Sequence, residues 1–219
     1  MEIKYNLRDR QSSLPGWYKA VLAPLIPYLT VPVGLYGLQN AWAAMFGYHM
    51  GMIVIMFLGG FRLEKRMFLG KYPGISLLML CFGLAGGVLM YVLWPYLDVP
   101  AGMADYLHSV GLNSSNFPFF LAYFASAGAF LEEIYWRRFL GSTSVKPVPA
   151  DILFAGYHVI VLAGKMALYW LPVVVCLLTA GAWLWRQTNR LDGGIRSSLI
   201  SHITADAAIM LAVFLWVWG

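Results

Sequence analysis

The feature that most limits what this chain can become is a succession of seven apolar runs, at about 20–38, 41–61, 75–97, 117–138, 150–164, 168–186 and 195–218. Crossing a hydrocarbon core about 30 Å thick takes about 20 helical residues. A backbone in lipid must also satisfy its own polar groups, so runs of this length predict helices. Charged residues are only 11% of the chain, and AVILMFWYC make up 60%. A soluble domain carries about 25% charged residues, so polar surface here is too scarce to cover a water-soluble fold. The nine tryptophans fit the same solvent, because Trp collects at membrane interfaces. The expected fold class is all-α, a polytopic membrane helix bundle of about seven transmembrane helices in a single domain over residues 1–219. Disordered, fibrous, disulfide-stapled and nucleic-acid-binding classes are excluded together. The fifth run is short, and its junction with the sixth, near Gly164-Lys165, is the least defined boundary. Pro24, Pro27 and Pro32 predict a kinked first helix.

The net charge of +5 invites an acidic partner until the charges are placed on the spans. With the N-terminus inside, fourteen of the fifteen Lys and Arg residues fall on inner segments and Lys165 alone falls outside. That is the positive-inside pattern. It predicts a cytoplasmic N-terminus, a multi-pass protein of the cell (inner) membrane, and contact with anionic inner-leaflet lipid. No nucleic-acid partner is expected. Residues 1–19 are polar and basic and read as a retained interfacial segment around Trp17 and Tyr18, without a cleavable signal. Cys81 and Cys176 lie in apolar runs without CxxC or metal-like spacing.

Inside lipid the informative residues are the ionisable ones, since each costs about 2.5–3.5 kcal/mol near the bilayer centre on insertion scales. The fourth span reads Phe130-Leu131-Glu132-Glu133-Ile134-Tyr135-Trp136-Arg137-Arg138. Glu133 and Arg137 are four apart with the acid first, the favourable order for a helical ion pair. Glu132 points about 100° away, with no basic partner on its own helix, and is free to act as a base. Alternatively, both glutamates join one charge network with Arg137 and Arg138. The fifth span opens with Asp151, expected as an N-cap, and carries Phe154 and His158 on one face. On the seventh, Ser198, His202 and Asp206 recur every four residues as a polar stripe. Ser198 and Ser201 read as a seam joining helices. At 1.5 Å per residue, Glu132, His158 and His202 sit about 8–10 Å above their basic or capping ends, at one level. They are expected to converge on a water-containing cavity opening toward the basic, cytoplasmic end. His49 and His108 belong to no such constellation.

Glu132-Glu133-x-x-x-Arg137, Phe154-x-x-x-His158 and His202-x-x-x-Asp206 resemble, in order, the three motifs of the type II CAAX prenyl endopeptidase and bacteriocin-processing (CPBP, or Abi) family of intramembrane proteases. The lead-in Gly193-Gly194-Ile195-Arg196-Ser197 looks similar as well. The resemblance covers about 130–206 and implies peptide-bond hydrolysis inside the membrane by a glutamate-activated water. Glu132 and His158 would position and deprotonate the water, and His202 and Asp206 would face the oxyanion. Glu133, Arg137 and Phe154 would support them. One departure is Asp206, where the family often has Asn, which donates a hydrogen bond without titrating.

The expected function is therefore a hydrolase, an endopeptidase acting on a membrane-anchored peptide or protein such as a C-terminal tail, a sorting segment or a leader. Metal-free catalysis without a cofactor ranks ahead of a zinc-dependent version, in which Glu132, His158, His202 and Asp206 would be the ligands. The alternative from another class is a proton-coupled transporter using the same buried groups, which the absence of a visible inverted repeat disfavours. A scaffold that merely keeps the fold, and a serine protease built on Ser198 or Ser201 with His202, rank lower.

Overall fold

In a computed structural model of the chain, residues 18–219 are described. They form an all-α membrane helix bundle with no strand among them; one isolated bridge joins Ala163 to Met166. Helix α1 opens with a π turn at Tyr18–Leu22, runs α-helical over Ala23–Pro32 and widens again at Val33–Gly37. Pro27 and Pro32 lie inside it and each removes a backbone donor. Next come α2 (Ala41–Leu58), capped by the Asn40 side chain on the Ala43 amide, and α3 (Pro73–Leu93). The segment expected as an outer loop contains a short helix, α4 (Met103–Ser109). Then follow α5 (Phe117–Phe139), α6 (Pro149–Leu162), α7 (Trp170–Asp192) and α8 (Arg196–Trp218).

Helices stand at all seven predicted positions, but they are not equivalent. Four of them, α2, α3, α5 and α8, are long and apolar enough to cross a membrane. Helix α6 has only 14 residues. Helix α7 is amphipathic, with Arg186, Gln187, Thr188, Asn189 and Asp192 buried near its C-terminus. Large apolar side chains remain exposed over the outside of the bundle, among them Phe57, Leu77, Val88 and Phe119. Lipid is the solvent that makes such a surface inexpensive.

Without a hydrophobic driving force between helices in lipid, close backbone approach supplies much of the packing. Helix α3 lies along α8 with Gly83 and Gly87 at the contact. A Cβ on Gly83 would meet Thr204 Oγ1 at 2.1 Å and the Ser201 carbonyl at 2.4 Å, and one on Gly87 would meet Ala208 Cβ at 2.3 Å. Helix α1 meets α2 in the same way at Gly34 and Ala44.

The turn before α8 is clamped from below. Gly193 adopts φ +81°, a left-handed conformation that glycine takes without a Cβ penalty. Asp192 accepts from the Tyr72 amide (2.8 Å) and the Ser197 hydroxyl (2.6 Å), and the Ile195 amide donates to the Met67 carbonyl (2.7 Å). At the same end, Asp151 occupies the third position of α6 rather than the N-cap. Its carboxylate accepts from the Val148 amide (3.0 Å) and pairs with Arg186 at 3.1 and 2.7 Å. Arg186 is the nearby cation that draws it into the helix, and it also donates to the Ser144 and Lys146 carbonyls. Trp17 and most of the polar N-terminal segment lie outside the described residues. Tyr18 is buried against Phe139 and Gly59.

Candidate active site

Helix α5 changes winding where the chemistry is expected. Its only α-helical turn below Tyr123, Ala129–Glu132, lies between π turns at Phe124–Gly128 and Glu133–Phe139. Such turns shift the facing of the side chains around them and recur at functional positions. Glu132, Glu133 and Arg137 are all buried.

His202 on α8 is the hub. Its Nδ1 lies 3.1 Å from Glu133 Oε1, while its Nε2 lies 3.4 Å from Glu132 Oε2 and 3.6 Å from Asp206 Oδ2. The two glutamates, expected to diverge, therefore grip opposite nitrogens of one imidazole. A near-parallel stack on Trp185, with ring centroids 4.4 Å apart, holds the His202 ring in place. Trp185 in turn donates to Ser201 (3.0 Å), and Ser198 donates to Glu133 (2.6 Å). Both serines join helices, as the seam reading of Ser198 and Ser201 suggested.

The other expected partnerships differ in detail. Glu132 has no Lys or Arg partner among the described residues, and the buried Tyr157 hydroxyl donates to its Oε1 at 2.5 Å. The Glu133–Arg137 pair is present but long, at 3.5 Å. The Arg137 guanidinium lies 4.6 Å from the Phe154 ring centroid and 5.4 Å from that of Trp185, and its nitrogens have no hydrogen-bond partner among the described residues. Aromatic faces compensate such a cation by about 2 kcal/mol when it is desolvated. Phe154 is central, its ring 5.3 Å from that of His158 and 5.9 Å from that of His202. His158 makes no hydrogen bond to Glu132. Its Nδ1 is 3.0 Å from the Phe154 carbonyl and its ring stacks on Tyr157 at 4.1 Å, so it bears on Glu132 through the tyrosine.

A cavity of about 120 Å³ adjoins this cluster, with Glu132, Asp206, Tyr157, Tyr48 and His49 in its wall. His158 and His202 are not among its lining residues, so the expected shared chamber contains the acids while the imidazoles stand behind them. Along α5 the wall runs through Phe120, Phe124, Gly128 and Glu132. The cavity thus extends from Glu132 along α5 toward Phe120, away from the basic end.

Sequence reasoning passed over Tyr157, Trp185 and His49, because two aromatic residues on apolar helices read as core and a lone histidine reads as structural. Their signal lay in register, with Tyr157 beside His158 and His49 in the middle of a span. His158 offers Nδ1 to a carbonyl, and both nitrogens of His202 face carboxylates. No three His, Cys, Asp or Glu among the described residues are placed to hold a metal ion. The four proposed ligands do not form such a set. Comparison of the chain with protein-family models, curated proteins and solved structures finds no match.

Proposed function

We propose that this chain is an intramembrane endopeptidase of the CPBP kind, with Glu132 as its general base, acting on a membrane-anchored peptide or protein. The observation that carries the reading is Glu132 itself: buried, in the wall of a cavity, 3.4 Å from His202 Nε2 and fixed by the Tyr157 hydroxyl. In the proposed reaction, a water in the cavity gives a proton to Glu132 as its oxygen bonds to the scissile carbonyl carbon. The tetrahedral intermediate collapses as the C–N bond breaks, and Glu132 returns the proton to the departing amine. A new carboxyl and a free amine result. Base catalysis of this kind contributes about 10²–10⁴-fold.

The surrounding residues supply orientation and charge. The role of facing the developing oxyanion is assigned to His202 and Asp206 on the motif resemblance, and Glu133 holds the imidazole from its Nδ1 side. Three carboxylates are grouped around one imidazole and one guanidinium. His158 and Phe154 brace Tyr157 and both rings. In this reading the protein sits in a bacterial inner membrane with its basic ends cytoplasmic, following the charge asymmetry. The test is comparison of membrane-protein termini in cells carrying the wild-type chain or Glu132→Gln. New termini that vanish in the variant, at equal protein level, support the assignment. Identical terminal profiles refute it.

A further inference from the structure

Resting on that reading, we propose that the cavity beside Glu132 is a specificity pocket for one apolar side chain of the substrate, and that His49 is the polar group at its wall that positions the adjoining peptide unit. Four observations converge on this. The cavity is continuous with the proposed reaction centre, because Glu132 and Asp206 form part of its wall. Away from those acids it is lined by aliphatic and aromatic side chains such as Leu35, Met45, Phe124 and Val161. Its volume of about 120 Å³ is near that of a cavity of ~150 Å³ known to admit benzene. A leucine, methionine or phenylalanine side chain therefore suits it, and a charged one does not.

His49 is the fourth observation. It is 4% exposed on the apolar helix α2, a placement that costs free energy in lipid unless the ring is used. Its Nδ1 is 3.1 Å from the Tyr123 hydroxyl, which fixes the ring, and Nε2 has no hydrogen-bond partner among the described residues. The ring rests beside Gly128, where an added Cβ would lie 3.6 Å from both Cε1 and Nε2. Gly128 is one turn before Glu132 on the same helix. A fixed, buried imidazole with a free nitrogen in the cavity wall is suited to a hydrogen bond with a backbone amide or carbonyl, while the neighbouring side chain fills the apolar end.

The test uses the full-length protein in proteoliposomes and a membrane-spanning peptide series that varies one residue around the cut through Ala, Leu, Phe and Lys. Cleavage is read by mass spectrometry. Wild type should favour Leu or Phe over Ala and Lys by at least about tenfold, as a hydrophobic pocket discriminates. Val161→Phe, at the half-buried rim, should shift the preference toward Ala by about tenfold, and Val161→Ala should shift it toward the larger side chains. His49→Ala should raise KM by about tenfold with kcat within about twofold, and His49→Gln should restore most of the loss. If both Val161 variants keep the wild-type profile, or His49→Ala leaves KM unchanged, while Glu132→Gln still abolishes cleavage, the pocket assignment is overturned and the protease reading stands. Full cleavage by Glu132→Gln would instead remove the reading on which the pocket rests.

Discussion

At the residue scale, the site turns on His202, whose two nitrogens meet three carboxylates from two helices. Each acid buried alone in lipid would cost about 2.5–3.5 kcal/mol, so the cluster is tolerable only while every member keeps its partner. Tyr157 is the least protected link, since a single hydroxyl joins it to Glu132. Tyr157→Phe removes that donor and leaves the ring stack on His158 in place. A hydrogen bond to a charged group contributes about 1.5–3 kcal/mol. Turnover in proteoliposomes should fall about 10–100-fold and the thermal midpoint should drop, and an unchanged rate would remove Tyr157 from the site. Glu132, His202 and Asp206 were legible in the sequence because acids and imidazoles in apolar runs are expensive. Tyr157 and His49 were not, because an aromatic ring satisfies an apolar pattern whether or not its polar atom is used. The long reach of Glu133 to Nδ1 of His202 was hidden for another reason: the helical 100° rule says nothing about a ring placed between two side chains.

At the element scale, glycines set how near the helices come. The α3–α8 contact leaves no room at Gly83, where an added Cβ would meet a backbone carbonyl of α8 at 2.4 Å. Gly83→Val should therefore push the helices apart, lower stability by about 1–3 kcal/mol and carry His202 and Asp206 out of line with Glu132. A fall in thermal midpoint in detergent together with lost cleavage is the expected result. A wild-type midpoint would show that the contact is slack. The positions of the seven helices were readable from the apolar runs alone. The π turns of α1 and α5 were not, because they depend on which neighbours the widened turns meet. Nor was the place of Asp151, whose N-terminal position in the helix was visible while its partner Arg186 lay 35 residues away.

At the scale of the whole molecule, one end of the bundle carries most of the basic side chains and the tightest polar packing, and the cavity runs toward the other. The charge asymmetry predicts which end faces the cytoplasm. In a background with Cys81 and Cys176 replaced by Ala, cysteines placed at Thr143 and at Ser115, both exposed, report the two sides. A membrane-impermeant maleimide applied to intact cells should label Ser115→Cys directly and Thr143→Cys only after permeabilisation. Labelling of both positions from the same side would refute the seven-span arrangement. The most direct measurement concerns the carboxylate on which the chemistry depends: cleavage of an apolar membrane-spanning peptide by purified, reconstituted wild-type and Glu132→Gln proteins of equal thermal stability. With Glu132 as the base, kcat falls by at least about 10²-fold in the variant with KM nearly unchanged; equal turnover by the two proteins would contradict that role.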